Sequence, residues 1–412
     1  MANTPATILQ ALAAAPRQRL AIKVTSQAEK HIRQGHPWVF ESSVVKQSAA
    51  GQAGDMAIIY DQKKNKLLAV GLYDPTSPIR IKLVAHQQPA RLDADWFSEK
   101  IALAFAKRAP LLATDTNSYR LLHGENDGFP GFIADVYAEV LVIKLYTPIW
   151  LPYLEVMLPI LAQQAGTSTT VLRLSRLLQQ QDSALNGLHD GMVLAGTLGE
   201  EEVIFREHGI RFSANVIHGH KTGYFLDHRH NRHQIGQLAK GKTVLDVFAY
   251  AGGFSVHALM GGARAVTSLD ISAQALAVAQ RNVALNLAEA QHQIIAADAF
   301  TALEEMALRG DRFDIVVVDP PAFAKRQNEV ERALQQYARL ARLGAKLVAP
   351  GGYLLLASCS SRVPADDFYT ASLSALRQTG RDFREWKRTQ HDVDHPIGFP
   401  EGAYLKSIYL QF

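Results

Sequence analysis

From about Lys242 onward, runs of Val, Ile and Leu alternate with helical stretches of roughly a dozen residues. KTVLDVFAY, AVTSLDIS, HQIIAADAF, FDIVVVDPPAF and GGYLLLASCS each read as a strand. Helical patterns such as ALAVAQRNVALN lie between them. Near-continuous apolar strands separated by helices predict βαβ units and a mainly parallel sheet buried on both faces. The pattern between about 21 and 88 differs. MAIIYD, KLLAVGLYD and IRIKLVA alternate apolar and polar positions and are separated by Gly, Asp, Asn and Pro, which predicts a small all-β domain. Residues 89–200 mix both textures. A helix opens at QPARLDADW, a Gly/Pro/Asn-rich turn (HGENDGFPGF) separates two strands, and a second helix lies near Trp150–Gln164. The expected organisation is a frayed extension with one short helix (1–20), the all-β domain (21–88), an α+β middle domain (89–200) and the α/β domain (201–412).

Composition narrows the class. At 48% hydrophobic and 20% charged residues, the chain is not disordered. The stretch Val140–Leu161 contains Lys144, Glu155 and three prolines, so no uninterrupted membrane span is predicted there. The N-terminus lacks a basic start before its apolar part and makes a poor signal peptide, so a cytoplasmic location is expected. Net charge is +4. Residues 21–88 hold nine Lys/Arg and five acids, a surplus equal to that of the whole chain. Basic character in a small β domain suits sequence-independent attraction to nucleic-acid phosphates. Within it, Trp38 and Phe40 read as core residues rather than as platforms for bases. Cys359 is the chain's one cysteine, so an internal disulfide and a cysteine zinc cluster are both excluded.

Ligands of open α/β sheets sit beyond the carboxyl ends of the strands. The first predicted strand ends at Asp246 and runs into Ala249-Tyr250-Ala251-Gly252-Gly253-Phe254, a glycine turn without the G-x-G-x-x-G pyrophosphate fingerprint. The second ends in Asp270, a carboxylate suited to ribose hydroxyls, followed by Ile271. The third ends in Asp298-Ala299, where a carboxylate can meet an adenine amino group. Any one of these aspartates alone is more often a helix N-cap. Three at consecutive strand ends point to a nucleoside cofactor. The fourth strand ends in Asp319-Pro320-Pro321-Ala322-Phe323, an acceptor on a rigid turn beside an aromatic ring, which suits a flat ring carrying an amino group. The fifth ends in Ser358-Cys359-Ser360, placing a candidate nucleophile on the same rim. The histidines of HGHKTGYFLDHRHNRH lack a common helical face and a companion acid cluster, so no metal site is expected.

These residues resemble the RlmI-type family of class I S-adenosylmethionine-dependent methyltransferases. The resemblance runs from about residue 21 to the C-terminus, through HPWVFESSV, HGENDGFPGFIADVY, HGHKTGYFLDHRHNR, VFAYAGGFSVHA, LDIS, DPPAF, SCS and DHPIGFPEGAYLK. It implies a Rossmann-like domain with a seven-stranded sheet, preceded by an RNA-binding PUA barrel. It also implies methylation of carbon 5 of a cytosine in 23S ribosomal RNA, and a homodimer. Carried over by position, Phe248, Tyr250, Gly252 and Phe254 line the methionine end of the cofactor, Asp270 holds the ribose and Asp298 lies near the adenine. Asp246, Gly253, Ile271, Ala299 and Asp319 are also expected among the cofactor-binding residues. Lys221, Thr222, Gly223, Phe225, Asp227 and Arg229 belong to a motif that closes over the cofactor. Asp319 and Cys359 take the target base, flanked by Pro320, Pro321 and Phe323. Two other readings compete. One is direct methylation of an exocyclic base amine, which needs no thiol. The other is a non-catalytic RNA-binding assembly factor.

Overall fold

The computed structural model describes residues 4–412. Contacts divide the chain into two units. The first comprises the chain up to Arg206, together with Ala214–Leu226 and Val393–Pro400. The second comprises Glu207–Ser213, Asp227–Asp392 and Glu401–Phe412.

In the first unit, six strands form one sheet in the spatial order Trp38–Val39, Ile81–His86, Leu67–Tyr73, Met56–Tyr60, Arg19–Val24, Val44–Gln47. Alternation sets its inner face: along Arg19–Val24, Leu20, Ile22 and Val24 are buried. A helix, Ser26–Arg33, interrupts the strands. The Thr25 side chain caps it by accepting from the Ala28 amide, and it buries only Ala28 and Ile32. A second sheet orders Val193–Ala195, Thr169–Leu174, Val140–Leu145, Phe132–Tyr137 and Ser118–His123, with helices Ala94–Ala106 and Leu154–Ala165 packed together beside it. The segments read as separate domains share one apolar core: Val70, Leu72 and Val84 cluster with Phe97, Phe132 and Trp150.

Two expectations are corrected here. The one short helix expected in the N-terminal extension is present, but over its described part the extension is packed rather than frayed. Helix Pro5–Ala14, capped by Thr4, buries Ile8 and Leu9 in that same core. Phe40 is not a core residue, being 45% exposed, and Trp38 is only half-buried. The indole Nε1 of Trp38 donates to Glu125 Oε1 at 3.0 Å, and its ring meets Phe399 edge-on at 5.1 Å.

In the second unit, helix α1 (Arg229–Leu238) precedes a sheet built from β1 (Thr243–Val247), β2 (Ala265–Asp270), β3 (His292–Ala296), β4 (Phe313–Val318), β5 (Val348–Ser358), β6 (Arg384–Thr389) and β7 (Lys406–Gln411). The spatial order is β3-β2-β1-β4-β5-β7-β6. The pairs from β3 through β5 are parallel, and β7 runs antiparallel to both neighbours. Helices α2 (Gly253–Met260), α3 (Ala273–Ala284), α4 (Ala299–Arg309), α5 (Val330–Leu347) and α6 (Ala365–Arg377) supply the crossovers. Ile315–Val318 and Leu354–Leu356 are buried, as central strands covered on both faces require. The strand order reverses between β1 and β4, and the carboxyl ends there form the crevice in which such sheets bind ligands.

Candidate active site

The loop leaving β1 is strained. Phe248 (φ 66°), Tyr250 (φ 48°) and Gly252 (φ 74°) all occupy the left-handed region. Two aromatic residues held there cost energy that the surroundings must offset, a pattern that clusters at ligand sites. Asp270, closing β2, braces the loop. Its Oδ2 accepts from the Tyr250 amide and its Oδ1 from the Ser272 amide, both at 2.9 Å. The side chain of Ile271 beside it is 76% exposed. Asp246 lies beneath the same loop. Its Oδ2 accepts from the Ser255 amide (3.0 Å) and hydroxyl (2.7 Å). Its Oδ1 is buried without a partner. Burial pushes this carboxyl up to about 7; the Ser255 hydrogen bonds oppose the rise and the charges of Asp319 and Asp270 add to it. Phe254 is buried on the first turn of α2. Asp298 serves as N-cap of α4, accepting from the Thr301 amide, and Ala299 is the buried first residue of that helix.

The neighbouring ends of β4 and β5 bring the predicted base-side residues together. Asp319 follows β4, and its amide donates to Val247 O. Cys359 follows β5, and its Sγ lies 3.8 Å from Pro320 O. Ser358 Oγ donates to Tyr337 Oη and Ser360 Oγ to Ala324 O, each at 2.9 Å, so both flanks of the cysteine are tied down. Phe323 packs on Tyr337 at 5.1 Å, and Pro321 is exposed at the rim.

His228 enters the site without a role expected from the sequence beyond the rejected metal reading. It is buried, with Nε2 3.3 Å from Asp319 Oδ1. Asn231 Oδ1 accepts from the Thr389 and Tyr409 hydroxyls, which turns its Nδ2 toward His228 Nδ1 at 3.1 Å. That arrangement makes Nδ1 the acceptor and assigns the proton to Nε2, which is buried near the carboxylate without a hydrogen bond to it. The available signal was the His228/Asn231 spacing of three residues at the start of a helix, which is weak. Among the described residues, no group of three or more His, Cys, Asp and Glu is placed to hold a metal ion.

The motif ahead of the sheet divides between the units. Lys221, Thr222 and Phe225 belong to the first. There Thr222 Oγ1 donates to Asp135 Oδ2 at 2.6 Å, and Lys221 Nζ lies 4.5 Å from the centre of the Phe225 ring. Asp227 and Arg229 belong to the second. Asp227 accepts from the Tyr404 hydroxyl at 2.9 Å. Arg229 is fully buried, with Nη1 3.1 Å from Asp392 and Nε 3.7 Å from Glu207, and Glu207 also binds Arg232 and His257.

The donors and acceptors around β1 and β2 fit an aminoacyl-nucleoside cofactor. The orphaned Asp246 Oδ1 is an acceptor suited to an ammonium group. Each Asp270 oxygen keeps a lone pair for a ribose hydroxyl, and the bare Ile271 side chain offers an apolar face to a purine.

Comparison with known proteins agrees with this fit. The S-adenosylmethionine-dependent methyltransferase family model matches residues 120–389, and a PUA-like domain model matches residues 22–86. The chain is 46% identical over 399 residues to a protein of Deinococcus radiodurans named ribosomal RNA large subunit methyltransferase, covering 95% of this chain and 97% of that one. It is 34% identical over 393 residues to ribosomal RNA large subunit methyltransferase I of Shewanella amazonensis, covering 94% and 98%. Among solved structures, a candidate SAM-dependent methyltransferase from Streptococcus mutans superposes with TM-score 0.78 at 21% identity, over 95% of this chain and 100% of that one. Another, solved with SAH bound, gives TM-score 0.79 at 21% identity, over 96% and 100%. A strained turn, three strand-end aspartates and full-length similarity converge: the chain belongs to the RlmI-type family of S-adenosylmethionine-dependent methyltransferases, with a PUA-like N-terminal domain.

Proposed function

We propose that the chain methylates carbon 5 of a cytosine in large-subunit ribosomal RNA, with Cys359 as a covalent nucleophile. The observation that carries this reading is the juxtaposition of Cys359 Sγ with Pro320, next to Asp319, at adjacent strand ends. The names of the relatives supply the substrate class.

Carbon 5 of cytosine is a poor nucleophile. The Cys359 thiolate adds to carbon 6, forming a C–S bond and pushing the 5,6-double-bond electrons onto carbon 5. Asp319 accepts from the exocyclic amine and holds the ring during this addition. S-adenosylmethionine, when bound, supplies the electrophilic methyl group that the activated carbon takes up. Asp246 and Asp270 hold the cofactor's ammonium and ribose, Phe248, Tyr250, Gly252, Gly253 and Phe254 line its methionine end, and Asp298 and Ala299 flank its adenine. Loss of the carbon-5 proton to a base then restores the double bond and expels the thiolate. One hard displacement becomes two easier steps. A stacked, paired base hides carbon 6, so the target is unpaired or flipped out.

RNA carrying 5-fluorocytosine at the target tests this. Methyl transfer leaves carbon 5 with methyl and fluorine and no proton to lose, so the adduct stalls. A complex surviving denaturing electrophoresis, and absent in Cys359→Ala, is expected. Full methylation of unmodified RNA by Cys359→Ala would instead move the assignment to an exocyclic amine.

A further inference from the structure

The segment DHPIGFPEGAYLK ends in a residue that the proposed chemistry has not yet used. Lys406 opens β7 and stands opposite Ser358 in the antiparallel β5–β7 ladder, one residue before Cys359. Its side chain is buried, 1% exposed. The ammonium donates to the carbonyl oxygens of Ser360, Val363 (2.7 Å) and Tyr404 (3.2 Å). Two of these carbonyls belong to the turn that immediately follows Cys359.

Among the described residues, no carboxylate forms an ion pair with Lys406. The contrast is Lys82, buried in the first unit, which pairs with Asp74 at 2.8 Å. A buried cation without a counter-charge is costly, and carbonyl dipoles offset only part of the cost. Once ionised, Cys359, whose turn the ammonium already binds, supplies a negative charge that Lys406 feels. Burial pulls the Lys406 ammonium down to about 8, and the thiolate pulls it back up. Coupling is reciprocal, so the ammonium favours the thiolate equally. Other titratable groups on the elements packed nearby are Asp319, Tyr337 and His228. Asp319 comes from β4, and its charge opposes ionisation. Tyr337 comes from α5 and is pushed up to about 12 by burial, so it stays neutral. His228 approaches Asp319, with Nε2 3.3 Å from its Oδ1.

We infer that Lys406 is a positioning residue for the nucleophile: its buried ammonium holds Cys359 as the thiolate and fixes the turn that aims it. This rests on the reading of Cys359 as the attacking group.

Because Cys359 is the chain's one cysteine, iodoacetamide alkylation of the intact protein reports its ionisation without ambiguity. The alkylation midpoint of the unaltered protein should fall below 8.5, the ordinary thiol value. In Lys406→Met, close in volume and uncharged, the midpoint should rise by about one unit, and alkylation at pH 7 should slow about tenfold. A midpoint at or above 8.5 in the unaltered protein overturns the inference, and that measurement stands even where the methionine variant does not fold. Equal midpoints in a folded methionine variant overturn it too. The 5-fluorocytosine adduct separates the two ideas. Trapping with unmoved midpoints removes Lys406 alone. A low, Lys406-dependent midpoint without trapping upholds the charge coupling and removes cytosine-5 addition.

Discussion

Asp246 carries a pH signature that tests the cofactor site one atom at a time. Its carboxyl is pushed up to about 7, chiefly by burial. The folded chain therefore holds a proton that the unfolded chain releases, and this group's contribution weakens stability as pH rises from about 4 through 7. An ammonium group against the orphaned Oδ1 reverses the balance by favouring the charged carboxylate. S-adenosylhomocysteine should thus bind more tightly at pH 8 than at pH 6 and should release a proton on binding at the lower pH. Calorimetry in two buffers of different ionisation enthalpy measures both, and pH-independent binding would remove Asp246 from the ammonium contact. This residue stood out in the sequence because it lies near the end of an apolar strand, as do Asp270, Asp298, Asp319 and Cys359, each within two residues of a strand's last position. His228 did not stand out, because its partner Asp319 lies far along the chain and nothing in the local pattern pairs them. Nor could sequence show that Arg229 is committed to Glu207 and Asp392, since burial of an arginine depends on the acids that fold around it.

The β1–α2 turn is the element proposed to carry the cofactor, and its glycine gives a test of that proposal. A Cβ added at Gly252 would lie 2.7 Å from Ala279 Cβ and 3.1 Å from Ala279 Cα, at a φ of +74°. Both contacts are on helix α3, which cannot yield without moving off the sheet. Gly252→Ala should lower stability by about 1–3 kcal/mol through backbone strain, before any steric term. It should also weaken S-adenosylhomocysteine binding, because the turn carrying Phe248 and Tyr250 must shift. Thermal unfolding with and without ligand measures both effects, and an unchanged midpoint would show that the turn relaxes freely. Strands β1, β2, β4 and β5 were readable because burial on both faces forces continuous apolar runs, whereas β3, an edge strand with no buried residue, was readable only from its Ile294-Ile295 pair. The edge strand β6, REWKRT, has no such demand: four of its six residues are exposed and none is buried. Helix Ser26–Arg33 was missed because its signal is short: two apolar positions four apart, Ala28 and Ile32, in an otherwise polar run.

At the scale of the whole molecule, positive charge concentrates in the segment matching the PUA-like model, and the fold decides which charges can reach an RNA. Lys82 is buried against Asp74, Arg33 lies near Glu29 and Asp61, Arg80 pairs with Glu41, and Lys23 is held by Asp61 O and Asn65. Lys30, Lys46, Lys63, Lys64 and Lys66 remain exposed. Deleting residues 1–88 would be a poor test of docking. The boundary read at residue 88 cuts through a core in which Val70, Leu72 and Val84 pack with Phe97 and Trp150. Linear reading places boundaries where texture changes and does not register a shared core, nor returns such as Ala214–Leu226 and Val393–Pro400 to the first unit. Neutralising surface charge avoids the problem. Lys63, Lys64 and Lys66 lie on one exposed turn between Met56–Tyr60 and Leu67–Tyr73, so changing all three to Gln leaves the core intact. If each contacts a phosphate, the variant should lower the slope of log affinity against log salt by about 2–3, since each contact contributes about 0.7–0.9. S-adenosylhomocysteine affinity and unfolding temperature should not move. Filter binding of a ribosomal RNA fragment across a salt series supplies the slope. An unchanged slope in the triple variant would place the docking surface elsewhere and leave this turn as solvated lysines only.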